Sequence, residues 1–530
     1  ESSDTVSTQK AVTSDAASLL FTEKHITSDL TLPTIGASGT TISWKSSNPS
    51  VLSNEGKVTR PKKGAADEEV TLKGTVKMGD YAKERKFAFV VLAESEMGPT
   101  KEFALDQVEL LDDYYLTAQN SDIEFLKKFD NDRLLSRFRE TAGLDTKKIA
   151  PYGGWEDGWL GGHSVGHYLT AIAQAVKATG NADLKEKSKQ LIKGLAECQN
   201  KLGTGFIFGA KIETEGYVEK QFDILEGKTT GKTWVPWYNM HKMLTGLVDT
   251  YKYTGNKQAL EVAKKLGDWI YNRVSKWDAG TQGRVLGTEY GGMNDCLYEL
   301  YLCTRDSKHL EAAHKFDEPN LYKTVAKGGK NCLNGKHANT TIPKFLGALK
   351  RYVVLEQTGE LTKDDEAYLT NVEKFFDIAV TRHAYITGGV SVMEHFRKDN
   401  NQDGTRTQTN CESCCAHNML KMAKELYKVT GDKKYADYYE TTLRNSIMGA
   451  VKSESGAAAY FIPMATGYFK TFGNEDPAKN MFWCCTGSGM ENFTKLGDSI
   501  YFHANDTLIV NQYVSSKVTW EEKNLVVTQM

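Results

Sequence analysis

Four times between residues 179 and 432 an apolar pattern of helical period stops at one kind of tripeptide and starts again. The tripeptides are Thr179-Gly180-Asn181, Thr254-Gly255-Asn256, Thr358-Gly359-Glu360 and Thr430-Gly431-Asp432. In each, glycine can close the preceding helix and the polar residue after it helps open the next. A chain punctuated in this way is confined to helical hairpins. The helical period runs through 123–135, 166–178, 184–196, 241–253, 259–274, 295–302, 342–355, 367–381, 416–427 and 435–449. The repeat is too long and uneven for a short-repeat solenoid. Hairpins repeated over this length pack as an open superhelix or as a closed toroid, an (α/α) barrel. A toroid has a central cavity, lined by the interruptions between hairpins.

Polar and aromatic residues gather in those interruptions. One runs from Trp155-Glu156 to His163 and His167; another holds Trp234, Trp237, Tyr238 and His241. Glu289 and Asn294 sit in a third, His337 and Asn339 in a fourth, and Tyr385, Glu394 and His395 in a fifth. Rings beside carboxylates and imidazoles suit a neutral sugar, whose C–H faces stack and whose hydroxyls hydrogen-bond. A lone histidine or tryptophan at a helix start is ordinarily packing or capping. Five such loops in one helical chain favour a carbohydrate site.

The cysteines are crowded. Of nine, five lie in Cys411-Glu412-Ser413-Cys414-Cys415 and Cys484-Cys485. A carboxylate with several thiols is a set that zinc takes in tetrahedral fours. Cys411, Cys414 and Cys415 can share a helix face, but Glu412 and Cys414 cannot. The latter two reach one ion only at a turn or helix start, and the helical period does begin at 416. Free N–H groups there also stabilise a thiolate. Spacing alone leaves a second reading open, buried free thiols or a disulfide.

A chain of 530 residues divides into several domains. Its net charge of −2 is well mixed and offers no nucleic-acid surface. No apolar run is long enough to span a membrane. Glu1-Ser2-Ser3-Asp4 reads as a start set by processing or cloning. An odd, crowded cysteine set is not a disulfide scaffold. Residues 1–94 alternate like short strands at 41–44, 70–76 and 87–92, separated by turns, and read as a small all-β sandwich, with 10–17 as linker. A linker follows over 95–103, then the helical domain over 104–500. Residues 507–514, 516–520 and 525–528 alternate like strands again, so 501–530 reads as the start of a β-sandwich or as strands closing over the barrel.

Particular motifs carry a resemblance. Gly162-His163-Ser164-Val165-Gly166-His167-Tyr168, Tyr238-Asn239-Met240-His241-Lys242 and Lys336-His337-Ala338-Asn339-Thr340, with the Glu412/Cys414 pair and Cys484-Cys485, resemble the β-L-arabinofuranosidase group of glycoside hydrolases, families 127 and 146. The likeness spans residues from about 107 to 530. The run 42–49 with Gly56-Lys57-Val58 resembles bacterial Ig-like modules of secreted and cell-wall enzymes.

The resemblance implies an (α/α)6 barrel with β-sandwich additions and an exo-acting, retaining hydrolase. It implies a zinc held by Glu412, Cys414, Cys484 and Cys485, with Cys484 as nucleophile and Glu394 as general acid/base. Burial near Phe396 is expected to raise the proton affinity of Glu394. Sugar-binding histidines fall on His241 and His337, with His163 or His167 a further match. Trp237, Tyr238, Glu289, Asn294, Tyr385 and His395 complete the expected sugar contacts. The implied partner is an arabinose-containing oligo- or polysaccharide of plant origin, and the implied location is secreted or on a bacterial cell surface, attached through regions outside this chain. Extra thiols at Cys411 and Cys415, His395 beside the acid, and a highly polar stretch at 396–408 depart from the pattern. Other readings remain: another glycosidase specificity, a metal-independent lyase or epimerase, or a glycan-binding protein with a structural zinc on Cys411, Cys414, Cys484 and Cys485.

Overall fold

In the computed structural model the glycines of all four tripeptides take the left-handed conformation, φ between 66° and 75°. Asn181 and Asn256 then cap the helices that follow, accepting from the backbone N–H of Leu184 at 3.0 Å and Ala259 at 3.1 Å. The structure describes all residues except 1–2, 22–23, 28, 63–64, 95–98, 211–216 and 473–480. Most of the expected 95–103 linker therefore lies at or beside residues outside the described set. Residues 1–99 with 430–432 form one compact unit, and 100–429 with 433–530 a second.

The first unit holds α1 (Ser3–Ser18), β1 (His25–Ile26), β2 (Thr41–Ser46), β3 (Glu68–Met78) and β4 (Tyr81–Val91). The strands form a sheet in the order β1-β4-β3-β2, antiparallel except for the parallel β1–β4 pair. Val70, Leu72 and Val76 alternate onto the buried face of β3. Leu52 covers one end of that face, and Val12, Ala16 and Leu19 cover the other. Residues 10–17 are thus helix, not linker, because the sheet needs their apolar side chains.

The second unit holds α2 (Asp113–Lys127), α3 (Asn131–Thr141), α4 (His163–Thr179), α5 (Ala182–Leu202), α6 (Lys220–Leu225), α7 (Pro236–Thr254), α8 (Lys257–Val274) and α9 (Ala279–Leu286). It continues with α10 (Met293–Thr304), α11 (Ser307–His314), α12 (Pro319–Ala326), α13 (Ala338–Thr358), α14 (Glu366–His383), α15 (Ser413–Thr430), α16 (Lys433–Thr442) and α17 (Cys484–Phe493). Six of these form an inner ring. Helices α17, α4, α7, α10 and α13 pack in that order. Asn418 donates to Asn339 at 2.9 Å to join α15 to α13, and His417 lies 2.7 Å from Asn492 to join α15 to α17. The ring encloses a cavity of about 360 Å³ lined from all six helices, by Thr170, Asp249, Glu299, Lys350, Glu425 and Glu491 among others. This is the expected (α/α)6 barrel, with α5, α8, α11 and α14 packed behind it. Gly166 and Gly246 let α4 and α7 meet closely: a Cβ on Gly246 would lie 2.6 Å from the Gly166 carbonyl.

Among the described residues ten short strands complete this unit: β5 (Lys101–Glu102), β6 (Val108–Leu110), β7 (Gly153–Gly154), β8 (Val451–Lys452), β9 (Ala457–Ala458), β10 (Met481–Phe482), β11 (Tyr501–Ala504), β12 (Thr507–Val510), β13 (Ser516–Trp520) and β14 (Leu525–Gln529). The last four pair in orders β12-β11-β5 and β14-β13-β6, so the C-terminal strands close on the segment that leads into the barrel. No helix among the described residues is long and apolar enough to cross a membrane.

Two helical readings change. The period at 123–135 is broken, because Asp130 accepts from the N–H of Asp132 at 2.8 Å and starts a new helix. The period at 435–449 leaves α-geometry after Thr442 for a π turn and then a 3₁₀ turn.

Candidate active site and metal cluster

The inner helices bring their N-terminal ends to one face. His163 opens α4, Tyr238 lies in the first turn of α7, His337 caps α13, Glu412 directly precedes α15, and Cys484 opens α17. Cys414 and Cys485 follow one turn position in. Cys414 Sγ lies 3.1 Å from Cys485 Sγ, which is 4.0 Å from Cys484 Sγ. Glu412 Oε1 lies 3.7 Å from Cys485 Sγ and 3.9 Å from Cys484 Sγ. All four residues are buried and their donor atoms lie within 4.8 Å of one another. A tetrahedral ion with ligand bonds near 2.3 Å sets its ligand atoms about 3.8 Å apart, which these spacings bracket. Burial pushes Glu412, Cys414 and Cys485 well up. The thiols of Cys414 and Cys485 hold Cys484 well down. Four acidic groups packed together suit a cation, which replaces their protons. The cluster thus fits a metal in donor type, number and spacing. Around it, Ser488 donates to Cys414 Sγ at 3.1 Å and Cys415 donates to Glu412 Oε2 at 3.2 Å.

Cys411 is not part of this set. Its backbone is left-handed, and its thiol lies 3.8 Å from Thr387 Oγ1. The all-cysteine arrangement through Cys411 is therefore replaced by one through Glu412.

Glu394 stands on a strained strap. Ser391, Met393 and Glu394 have φ of 91°, 45° and 65° without being glycine, a conformation that costs about 1–3 kcal/mol per residue. Backbone bonds hold it: Met393 N–H to Thr409 O at 2.9 Å, and Ala338 N–H to Glu394 O at 2.6 Å. His337 Nδ1 accepts the Thr340 N–H at 3.1 Å, which leaves the proton on Nε2. Nε2 then donates to Glu394 Oε2 at 3.2 Å, and the Tyr460 hydroxyl donates to Oε1. The bond from His337 holds the carboxyl of Glu394 below the usual range despite its burial. The expected rise through Phe396 does not occur, because that ring is buried against His383, 5.2 Å between centroids.

Tyr460, which the sequence did not single out, links the two halves of the site. Its oxygen lies 3.4 Å from Cys484 Sγ while its proton goes to Glu394. It follows β9 on a segment with neither helical nor strand period, and only the Tyr460-Phe461 pair after three alanines marked it. The sulfur and the carboxylate are therefore no more than two such contacts apart.

Tyr238 packs on His163 and His241, each 6.2 Å between ring centroids. Charge on Cys484, Cys414, Glu289 and Glu412 reaches Tyr238, and charge on His337 and Cys484 reaches Glu289, which places both residues in this site. His395 packs 5.0 Å from His337, its Nδ1 bonded to the Met393 carbonyl at 2.6 Å. His167 lies a turn deeper. Its Nδ1 is 2.5 Å from Glu491 Oε1, and burial pushes it down to about 3.

Three expected sugar contacts are structural. Trp237 is fully buried among Phe222, Trp269, Trp277 and Phe316, because α7 turns that side of its first turn into the core. Asn294 is fully buried and donates to Asp317 at 3.0 Å. Tyr385 packs with Val392 and Ile462, its hydroxyl 2.8 Å from Thr405 Oγ1.

An acid–thiol site on the N-terminal face of an (α/α)6 ring defines a barrel protein with a metal-capable centre. Residues 107–498 match the family model described as the β-L-arabinofuranosidase, GH127 catalytic domain. The chain belongs to that family. Residues 12–94 match the atrophied bacterial Ig domain. Among solved structures, a GH127 β-arabinofuranosidase is similar with TM-score 0.59 and 19% identity over 80% of this chain and 66% of its own. A GH127 β-L-arabinofuranosidase from Geobacillus stearothermophilus T6 is similar with TM-score 0.57 and 18% identity over 78% of this chain and 68% of its own. These likenesses support the fold, and the chain spans about two thirds of the length of either relative. No curated protein sequence matches the chain significantly.

Proposed function

We propose that the protein is a retaining, exo-acting β-L-arabinofuranosidase with Cys484 as nucleophile, Glu394 as acid/base, and zinc on Glu412, Cys414, Cys484 and Cys485. The observation that carries this reading is the bridge from Glu394 through Tyr460 to Cys484, directly above the four-ligand cluster. Family membership sets the substrate class as a carbohydrate. The finer choice, an arabinose-containing plant glycan met outside a bacterial cell, rests on the family's description and on the Ig-like module. Residues 1–94 are then an accessory module and 104–500 the catalytic domain.

When bound, zinc keeps the sulfur of Cys484 ionised near neutral pH. In the first step that sulfur bonds to the anomeric carbon as the glycosidic C–O bond breaks. The leaving oxygen takes a proton from Glu394 in its protonated form, a proton that the carboxylate, bonded at rest by the His337 Nε2–H and the Tyr460 hydroxyl, first takes up from solvent. Tyr460 keeps the two groups on opposite sides of the bond. In the second step the Glu394 carboxylate removes a proton from water, the water oxygen bonds to the same carbon, and the C–S bond breaks. Two inversions return the original configuration. His163, Tyr238, His241, Glu289 and His337 supply donors and acceptors for the sugar hydroxyls, with His395 beside them.

The test is proton NMR of the first-formed product from an aryl β-L-arabinofuranoside, with a screen of other aryl furanosides and pyranosides alongside. Retention is expected, and a slow substrate should leave its sugar on the peptide that contains Cys484. An inverted product, or a sugar on Glu412 or Glu394 with Cys484 free, would defeat the proposal. Unsaturated products would point to a lyase instead.

A further inference from the structure

Of the nine tryptophans, only Trp155 and Trp234 are exposed, at 37% and 45%. They stand together, 6.0 Å between ring centroids, and Trp155 lies 5.6 Å from Trp483. The backbone builds this group deliberately. Strand β7 pairs with β10, Gly154 opposite Phe482, and the Trp155 N–H donates to Phe482 O at 3.1 Å. That strap fixes Trp155 beside Trp483, the residue immediately before Cys484. Trp155 is followed by Glu156, which lies 3.0 Å from His163 Nδ1. Trp234 leads into α7, which carries Tyr238 and His241.

The residues that surround Cys484 on the sugar side are nearly closed: His163 is 0% exposed, Tyr238 and His241 each 6%. The indoles are an apolar surface outside this enclosure, joined to it through Trp483, the neighbour of Cys484. Indoles left open to solvent beside a site mark a binding surface. Their flat faces match the C–H face of a sugar ring, and they offer no charge for an acidic one.

We propose that the exposed indoles of Trp155 and Trp234, with Trp155 held edge-on against Trp483, form a stacking surface for a neutral sugar residue joined to the one that Cys484 attacks. This rests on the glycosidase reading above. It makes the protein selective for oligosaccharides over glycosides whose leaving group has no ring.

The test compares wild type with W155A, W234A and the double variant on methyl β-L-arabinofuranoside and on an arabinofuranosyl disaccharide. Stacking of this kind shifts binding by about tenfold, so the ratio of kcat/KM for disaccharide to methyl glycoside should fall about tenfold in the double variant, mainly through KM. W155F should restore most of it. An equal loss on both substrates, or an unchanged ratio, overturns the platform. The same proteins are titrated with arabino-oligosaccharides by tryptophan fluorescence, with thermal melts to confirm folding. Wild type that binds these sugars but cleaves no arabinofuranoside, with binding lost in the double variant, keeps the platform and rejects the arabinofuranosidase reading. Hydrolysis with variants that behave as wild type does the reverse. A wild type that neither binds nor cleaves rejects both.

Discussion

At the scale of single residues the site turns on who donates to whom. The Glu394 carboxylate accepts from His337 and Tyr460, so a change at Glu394 and a change at its donor should look different. Glu394→Gln removes the transferable proton. It should slow hydrolysis of poor leaving groups by about 10²–10⁴-fold and activated aryl glycosides far less, as read from kcat/KM across a leaving-group series. Equal losses across the series would make Glu394 a binding residue, with His395 the next candidate. His337→Ala keeps the acid but removes the bond that holds it low. The pH limb of kcat/KM that reports the free carboxylate should then move to higher pH, and a limb that stays put would dissociate it from Glu394. Cys415 is a positioning residue of another kind, its S–H on the outer oxygen of Glu412. Losing a partner that orients a ligand costs about 10–100-fold in metal affinity. Cys415→Ala should weaken zinc by that order in a competition with a chelating dye, and Cys415→Ser, which can also donate, should recover most of it. Equal affinity in all three proteins would leave Cys415 as mere packing.

At the scale of elements, what the sequence made legible was punctuation and period. The tripeptide glycines and Asn181 and Asn256 were readable because capping is local chemistry. Helix α17 was not, since Gly487 and Gly489 within ten residues erase a helical period, and tertiary packing against α4 forms the helix anyway. Trp237 misled for a related reason: composition places it in a sugar-like loop, while the first turn of α7 decides which of Trp237 and Tyr238 faces the site. Helix α2 carries a feature that period could not show. Asp122 is fully buried there, neither carboxylate oxygen has a hydrogen-bond partner, and burial pushes its pKa well up. An unfolded aspartate titrates near 3.9. Below that pH both states hold the proton and the residue is neutral in effect. Above it only the folded state keeps the proton, so Asp122 costs stability increasingly as pH rises toward its folded value. Asp122→Asn should gain about 1–3 kcal/mol at pH 7 and lose the gain below about pH 4. Urea melts across that range check this, and stability curves that run parallel at every pH would show that Asp122 is not the group responsible.

At the scale of the molecule, the ring of inner helices was legible as repeated hairpins, but its closure was not, because no local pattern says that the sixth inner helix meets the first. Closure depends on contacts between distant segments. Glu491 on α17 pairs with His167 on α4, and the next seam, between α17 and α15, is where Cys485 meets Cys414 and His417 meets Asn492. The Glu412–Cys485 cluster is thus a clamp on the seam of the barrel as well as a chemical centre. In the folded chain its four acidic groups stand together; in the unfolded chain they are dispersed, so a metal binds the folded state preferentially. Such a ligand at a hundred times its Kd adds about 2.7 kcal/mol. For a unit of more than 400 residues each kcal/mol moves Tm by about 1 °C, so a strong chelator should lower Tm by about 3 °C and added zinc should restore it. Glu412→Gln should melt near the chelated wild type and respond to neither reagent. Elemental analysis should find one zinc per chain in wild type, and X-ray absorption should show sulfur in its first shell. A wild type that holds zinc on sulfur yet melts identically with and without chelator would separate the metal from the seam, leaving it a role in chemistry alone.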